Sequence, residues 1–198
     1  MSLTDPTRTI PTGLATDEFA LRPIRASDAS RDYTAVMETR VDLRIWEQSS
    51  WPEDTFTVDA NREDLAGLEQ RHEERRAYTY TVIDPADTEC LGCVYIFPIT
   101  ATFLTKATVR PVIENAQWES VDAVVYFWVR ESRIASGMED RLLSSIREWL
   151  DGDWGVQHAV FVTSEQFSRQ VTLLDEAGLH REFELREPGK PDAYLAYT

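Results

Sequence analysis

The chain lacks the features that would direct it to a membrane or to nucleic acid. Its 198 residues include no run of the roughly 18 consecutive apolar residues that a membrane span needs. Lysine occurs only twice, and 35 acidic residues against 20 basic ones give a net charge of −15. A surface this acidic repels phosphate backbones and anionic lipids, so we expect neither nucleic acid nor membrane as a partner. Cationic ligands such as amines are favoured, although the same charge also serves solubility alone.

Cysteine is also scarce. The only two cysteines form the CxxC sequence Cys90-Leu91-Gly92-Cys93, and no second CxxC supplies the remaining ligands of a zinc site. The segment is predicted to be a strand, in which residues i and i+3 point to opposite faces. We therefore predict two structural thiols and no metal.

Several signatures of catalysis and targeting are missing as well. The sequence has no GxxxxGK phosphate loop, no GxSxG nucleophile elbow and no GxGxxG after a strand. The beginning of the chain lacks the pattern of a secretory signal, so a cytoplasmic protein is expected. Residues 1–17 are rich in Thr and Pro and are predicted to be a flexible tail, followed by one domain over residues 18–198.

The hydrophobic pattern of that domain predicts the element order β-α-α-β-β-β-α-β-α-β-β. Apolar side chains recur at helical spacing over residues 58–76, 137–150 and 165–177. Residues 121–129 are predicted to be a strand that contains the uninterrupted apolar run from residue 123 onward. Residues 100–120 fit either a missed strand or a functional loop. The predicted fold class is α/β (α+β), with a mixed and mostly antiparallel central sheet of about seven strands flanked by about four helices.

The segment over residues 129–143 combines the end of the apolar strand, a short loop and the start of an amphipathic helix. The first N–H groups of a helix have no internal partners and its dipole favours negative charge, so this segment predicts an anion site. Glu139 and Asp140 lie in the first helical turn, where a phosphate would meet negative charge. This negative charge would weaken the binding of any cofactor with a phosphate group at this site.

Three segments carry a resemblance to a known family. They are LRPI at residues 21–24 with SDA at 27–29, LGCVY at residues 91–95, and LLDEAGL at residues 173–179. In this order they resemble the first strand and helix, the third strand and the late helix of the GCN5-related N-acetyltransferases. The resemblance implies that family's fold, acetyl-CoA as co-substrate, and acetyl transfer to a small-molecule amine or a peptide N-terminal amine.

In this family the loop after the fourth strand wraps the diphosphate of acetyl-CoA with a Gln/Arg-x-x-Gly-x-Gly/Ala pattern. One register puts Ile134 at the Arg position, Gly137 at the first Gly and Glu139 at the second; the other, from Arg133, puts Ser136 and Met138 at the small positions. Neither register matches fully, so the loop is degenerate. The cofactor contacts that the resemblance implies are Trp128, Val129, Ile134, Ala135, Ser136, Gly137 and Met138.

The family's acid and amide positions are also altered. Its frequent Asn falls at Phe167 and its frequent general-acid Tyr falls at Leu174, and leucine cannot protonate a departing thiolate. The weak candidates that remain are Glu131 and Glu47 as bases acting through water, and Tyr126 and Ser168 as hydroxyl donors. Three tryptophans either wall an acceptor pocket or pack in the core: Trp46, Trp51 and Trp118.

Three hypotheses follow for the function. The first is an N-acetyltransferase, and the second is a catalytically inactive module of the same fold that binds acyl-CoA or a protein partner. The third omits the cofactor and makes the protein a homodimer or a structural partner, with the last strands and residues 100–120 as its interface.

Overall fold

The computed structural model describes residues 3–198, which contain one sheet of nine strands flanked by six α-helices. The strands are β1 (Leu14–Ala15), β2 (Ala20–Pro23), β3 (Tyr78–Ile83), β4 (Cys90–Phe97), β5 (Thr108–Pro111), β6 (Ala123–Val129), β7 (Ala159–Ser164), β8 (Arg181–Arg186) and β9 (Tyr194–Tyr197). The helices are α1 (Ala29–Glu38), α2 (Arg40–Glu47), α3 (Val58–Glu73), α4 (Glu131–Ile134), α5 (Met138–Asp151) and α6 (Ser168–Glu176).

The strand order across the sheet is β1-β2-β3-β4-β6-β7-β9-β8-β5. Every neighbouring pair is antiparallel except β6 and β7, which run parallel. The predicted mixed, mostly antiparallel sheet is therefore confirmed. The predicted numbers, about seven strands and four helices, are too low. Two short edge strands and the short α4 are too brief to show a hydrophobic period, and α2 was not separated from α1, which ends only one residue before it.

One of those edge strands resolves the ambiguity over residues 100–120. Residues 108–111 form β5, which pairs with β8 from Thr108 opposite Arg186 to Pro111 opposite Phe183. Its side chains are mostly exposed, so the strand lacks the apolar alternation that would have revealed it.

The core lies on both faces of the sheet, and β6 supplies side chains to each. Val125, Phe127 and Val129 belong to the cluster on the face that α5 and α6 cover. The alternate residues Val124, Tyr126 and Trp128 belong to the cluster on the face that α1, α2 and α3 cover. A strand buried on both sides explains why residues 123–129 are continuously apolar.

The two cysteines are buried free thiols, but they share one face of the sheet instead of pointing to opposite faces. The register with β3 shifts, so that Val82 lies opposite Gly92 while the next residue, Ile83, lies opposite Cys90. Leu91 is therefore an extra residue in a β-bulge and packs on the other face. The sequence prediction assumed that successive side chains alternate between the two faces of the strand. The bulge interrupts that alternation, so the prediction of opposite faces for the two cysteines was wrong.

The beginning of the chain packs against the domain. Residues 1 and 2 of the predicted tail lie outside the described residues, whereas Leu3 is buried and its carbonyl accepts a hydrogen bond of 2.7 Å from the Tyr78 hydroxyl. Residues 14 and 15 extend the sheet as β1. Apolar anchors thus hold residues 3–17 against the sheet, and the flexibility of residues 1–17 stays a prediction.

Candidate functional site

The central parallel pair of strands separates at its carboxyl end. β6 and β7 pair only from Ala123 opposite Ala159 to Val125 opposite Phe161, although β6 continues to Val129 and β7 to Ser164. Beyond this point β6 stays paired with β4, and β7 stays paired with β9. The separation leaves a gap between residues 126–129 and 162–164, which we call the notch.

A helix N-terminus follows β6 after the short helix α4. Gly137 precedes α5 in the left-handed conformation, with φ of 73°, and no side chain caps this end of the helix. A Cβ atom at Gly137 would lie 3.2 Å from Nη1 of Arg141, so a guanidinium flanks the same turn. This guanidinium is paired with the Glu18 carboxylate at 2.6 Å, so the groups that favour an anion here are the backbone N–H groups without helical partners and the helix dipole.

Glu139, the residue that breaks the family pattern, is directed into the interior. It is only 4% exposed, with Oε1 3.3 Å from Nε2 of Gln170 and Oε2 3.5 Å from Nε of Arg169. Burial raises the pKa of Glu139, and the Arg169 guanidinium opposes that rise. The carboxylate is therefore held by α6 and partly countered by a cation, instead of facing solvent at the helix N-terminus.

Two residues of α6 that the sequence analysis did not single out bridge the notch. Gln170 is fully buried, and its Nε2 donates a hydrogen bond of 3.0 Å to the Phe127 carbonyl of β6. Arg169 pairs with Asp42 of α2 at 2.9 Å and lies 3.9 Å from Glu131 of α4. The one sequence signal for this role was Gln170 itself, a glutamine among apolar residues on a predicted helix.

A cavity of about 420 Å³ lies on the other face of the sheet. Its walls come from α2, α3, β4, β6, β9 and the segments between them, so residues remote in sequence meet there. Eight lining residues are aromatic or aliphatic: Trp46, Trp51, Leu68, Tyr95, Phe97, Phe103, Tyr126 and Tyr194. Four are charged: Glu47, Asp64, Arg71 and Glu187.

Polar groups on the cavity wall differ in how well they are satisfied. The Tyr194 hydroxyl donates to the Glu47 carbonyl at 2.9 Å, and Nζ of Lys190 lies 3.3 Å from Oε1 of Glu47. In contrast, the Tyr126 hydroxyl and the Trp46 indole N–H are buried without a hydrogen-bond partner among residues 3–198. Unpaired buried donors are costly, so they mark a site where a ligand can complete the bonding.

The sequence-predicted catalytic residues fall in two places. Glu47 and Tyr126 line the cavity, together with Trp46 and Trp51. Glu131 lies beside Arg169 on the notch side. Ser168 is an exposed residue at the start of α6, also on the notch side.

The remaining sequence-predicted residues are placed as follows. Trp128 and Val129 are buried on opposite faces of β6, and residues 134–138 form the turn between α4 and α5. Trp118 lies outside the cavity lining and packs edge-on against Phe183, with 5.2 Å between the ring centroids. Phe167 and Leu174 are buried. Among residues 3–198, no group of three or more His, Cys, Asp or Glu side chains is arranged to hold a metal ion.

No family model matches the sequence, and no curated protein matches it either. Solved structures do match. Ribosomal-protein-S5-alanine acetyltransferase from Vibrio fischeri superposes with a TM-score of 0.67 at 16% identity, over 94% of this chain and 95% of that chain. The ribosomal L7/L12 alpha-N-protein acetyltransferase RimL in complex with coenzyme A gives 0.64 at 15% identity, over 95% of each chain.

A third similar structure is the microcin C7 self-immunity acetyltransferase MccE in complex with acetyl-CoA and AMP. Its TM-score is 0.62 at 15% identity, over 95% of this chain and 96% of that chain. These likenesses extend over nearly the whole chain. The protein has the fold of the GCN5-related N-acetyltransferases, as the sequence resemblance implied.

Proposed function

We propose that the protein is an acetyl-CoA-dependent N-acetyltransferase that acts on a small-molecule amine or a peptide N-terminal amine. The observation that carries the proposal is the notch between β6 and β7, after which the chain passes through the short helix α4 to the uncapped N-terminus of α5 at Gly137. The similar structures support it, because they are acetyltransferases and two of them hold coenzyme A or acetyl-CoA.

The residues at the notch fit the donor mainly through backbone groups. The first turn of α5, residues 138–140, would hold the diphosphate by its N–H groups, because those of Ser136 and Gly137 already donate to backbone carbonyls. The Arg141 guanidinium flanks this turn and is paired with Glu18. The end of β6, at Trp128 and Val129, would contact the pantetheine arm and the thioester carbonyl. Glu139 opposes this anion less than its position in the sequence implied, since Arg169 lies 3.5 Å from its carboxylate.

Acetyl-CoA would supply the acetyl group as a thioester. The amine nitrogen then forms a bond to the carbonyl carbon, the carbon–sulfur bond breaks, the amine loses one proton and the departing sulfur gains one. Glu47 is the proposed base acting through water, and Tyr126 is the proposed proton donor, because both line the cavity. Burial raises the pKa of Tyr126, which keeps its hydroxyl protonated. Glu131 and Ser168, on the notch side, are the second pair of candidates.

The test combines binding with turnover. Coenzyme A at about 100 times its dissociation constant should stabilise the protein by about 2.7 kcal/mol in a thermal unfolding experiment. Acetyl-CoA incubated with a panel of amines should release free thiol only when an amine is present. If coenzyme A does not stabilise the protein and no thiol is released, the proposal is contradicted.

The alternative, an inactive module that binds acyl-CoA or a protein partner, is favoured by two observations. Gln170 already occupies the Phe127 carbonyl in the notch, and two carboxylates, Glu131 and Glu139, lie near the proposed path of the donor. Coenzyme A binding without amine-dependent thiol release would select this alternative.

Within residues 3–198, no helix is both long and apolar enough to cross a membrane. A cytoplasmic location, a homodimer and the absence of nucleic-acid partners stay predictions.

A further inference from the structure

The cavity wall has the composition of a site for an apolar molecule. Eight of its twelve lining residues are aromatic or aliphatic, and its volume of about 420 Å³ lies in the range of small-molecule pockets. A peptide would bring backbone N–H and C=O groups that need partners, and such a wall offers few. The wall therefore favours a small molecule with an apolar body over an extended peptide.

The three carboxylates of the cavity differ in what satisfies them. Glu47 pairs with Lys190, whose Nζ donates to both its carbonyl and its carboxylate. Asp64 lacks an ion pair within 4 Å among residues 3–198, but it has a hydrogen bond with the Trp51 side chain, which opposes the rise that burial causes in its pKa. Glu187 has no ion pair within 4 Å among residues 3–198, although it is half-buried.

The surroundings of Glu187 support a cationic ligand. Burial raises the pKa of Glu187 and the Glu47 carboxylate raises it further, while Lys190 opposes both. The same two carboxylates raise the pKa of Tyr126, which places their field at the aromatic wall. An ammonium group beside Glu187 would neutralise the local excess of negative charge, and it would also be attracted by the faces of the aromatic rings.

A second, independent observation indicates a ligand that carries an oxygen. Trp46 and Tyr126 are each 7% exposed and line the cavity, and their indole N–H and hydroxyl have no partner among residues 3–198. The two rings lie 5.9 Å apart between centroids. A ligand oxygen would complete the Trp46 N–H, whereas the Tyr126 hydroxyl is the proposed proton donor of the transfer. A phenol oxygen provides such an acceptor.

We infer that the acceptor is a small primary amine on an aromatic body that bears a hydroxyl, and that Glu187 binds its ammonium group. This inference rests on the proposed acetyltransferase function, because it names the acceptor of that reaction. Tyramine has the required ring, oxygen and amine and serves as the probe.

The first experiment measures binding by calorimetry, with the full chain and without acetyl-CoA. Tyramine should bind, its neutral alcohol analogue tyrosol should bind about tenfold or more weakly, and the acid 3-(4-hydroxyphenyl)propionate should bind weakest because its charge is reversed. Phenethylamine, which lacks the ring hydroxyl, should bind a few-fold more weakly than tyramine. Equal binding of amine and acid would overturn the inference.

The second experiment changes the carboxylate. In Glu187→Gln the preference for tyramine over tyrosol should collapse to about one, whereas Glu73→Gln, an exposed position of α3 outside the cavity, should retain it. Because the readout is a ratio of two ligands on the same variant, a general loss of stability does not imitate the result. A preference unchanged in Glu187→Gln would also overturn the assignment.

The outcomes separate the inference from the proposed function. Amine-dependent thiol release with a peptide, but no tyramine binding, would reject the aromatic amine and leave the acetyltransferase standing. Tyramine binding that depends on Glu187, without thiol release from acetyl-CoA, would reject acetyl transfer to this amine and leave a binding site for aromatic amines.

Discussion

The notch and the aromatic cavity meet at the same strand, β6, but they differ in chemistry. The notch presents backbone groups, a helix N-terminus and the charged or amide side chains of Glu139, Arg169 and Gln170. The cavity presents aromatic rings and carboxylates. One strand buried on both faces can therefore serve two ligands of opposite character, because alternate residues face different surroundings.

Each region also has a buried carboxylate, and the two differ in their partners. Glu139 at the notch has the guanidinium of Arg169 3.5 Å away. Asp32 lies behind the cavity wall, 3% exposed, with only neutral partners: Asn61 at 2.9 Å and Cys90 at 3.5 Å. Burial raises the pKa of Asp32 to about 6, and its charge acts on Tyr95 of the cavity. Of these two buried carboxylates, only Asp32, behind the cavity wall, has no cationic partner.

The largest expected effect comes from replacing Asp32 by Asn. Folding raises the pKa of Asp32 from 3.8 to about 6, so the folded state holds this proton more tightly than the unfolded state. The contribution to stability is complete below about pH 4 and is lost as the pH rises to about 6, which amounts to about 3 kcal/mol. In urea unfolding, the stability of Asp32→Asn relative to the wild type should rise by that amount between pH 4 and pH 7.

The exposed Asp153→Asn serves as the control for that series, since it makes the same replacement of a carboxyl by an amide outside the core. A pH-independent difference for Asp32→Asn would mean that Asp32 is neutralised or ionised equally in both states.

The next effect tests the notch through Gly137→Val. A β-branched residue at φ of 73° is strained by about 1–3 kcal/mol, and its Cβ would lie 3.2 Å from Nη1 of Arg141. The turn should relax and misplace its N–H groups, weakening coenzyme A binding about tenfold to a hundredfold in calorimetry while tyramine binding is retained. Gly67→Ala in α3, where a Cβ meets nothing within 4 Å, should leave both affinities unchanged. Unaltered coenzyme A binding in Gly137→Val would remove this turn from the donor site.

The smallest expected effect is that of Glu139→Gln. Removing a negative charge near the anion site should tighten coenzyme A binding about threefold, because Arg169 already offsets part of the repulsion. The gain should shrink at high salt, where charges are screened. Glu148→Gln, exposed in the last turn of the same helix, should show no gain. Weaker binding in Glu139→Gln would instead assign Glu139 the role of positioning Gln170 and Arg169.

Much of the fold could be predicted from local patterns. The apolar run over residues 123–129 indicated a strand buried on both faces, and the helical spacing of Leu142, Ile146 and Trp149 indicated the buried face of α5. The short edge strands could not be predicted, since two to four residues show no period. The shared face of Cys90 and Cys93 was missed because the bulge at Leu91 depends on pairing with β3.

The candidate site was predictable only in part. Residues 134–138 were identified because an anion site at a strand–loop–helix junction is a local feature. The direction of Glu139 was not, because it depends on contacts with Arg169 and Gln170, about 30 residues later. Glu187, Tyr95 and Tyr194 carry no motif, and only their meeting across three parts of the chain makes them a cavity.

The sequence by itself determined the acidic charge, the order of the longer elements and the helix N-terminus after β6, because these depend on composition and short-range periodicity. The tertiary structure alone decided which carboxylates are paired, which donors stay unpaired and where the aromatic rings enclose a cavity. The physical reason is that burial and electrostatic pairing are properties of neighbours in space, which a single sequence does not specify.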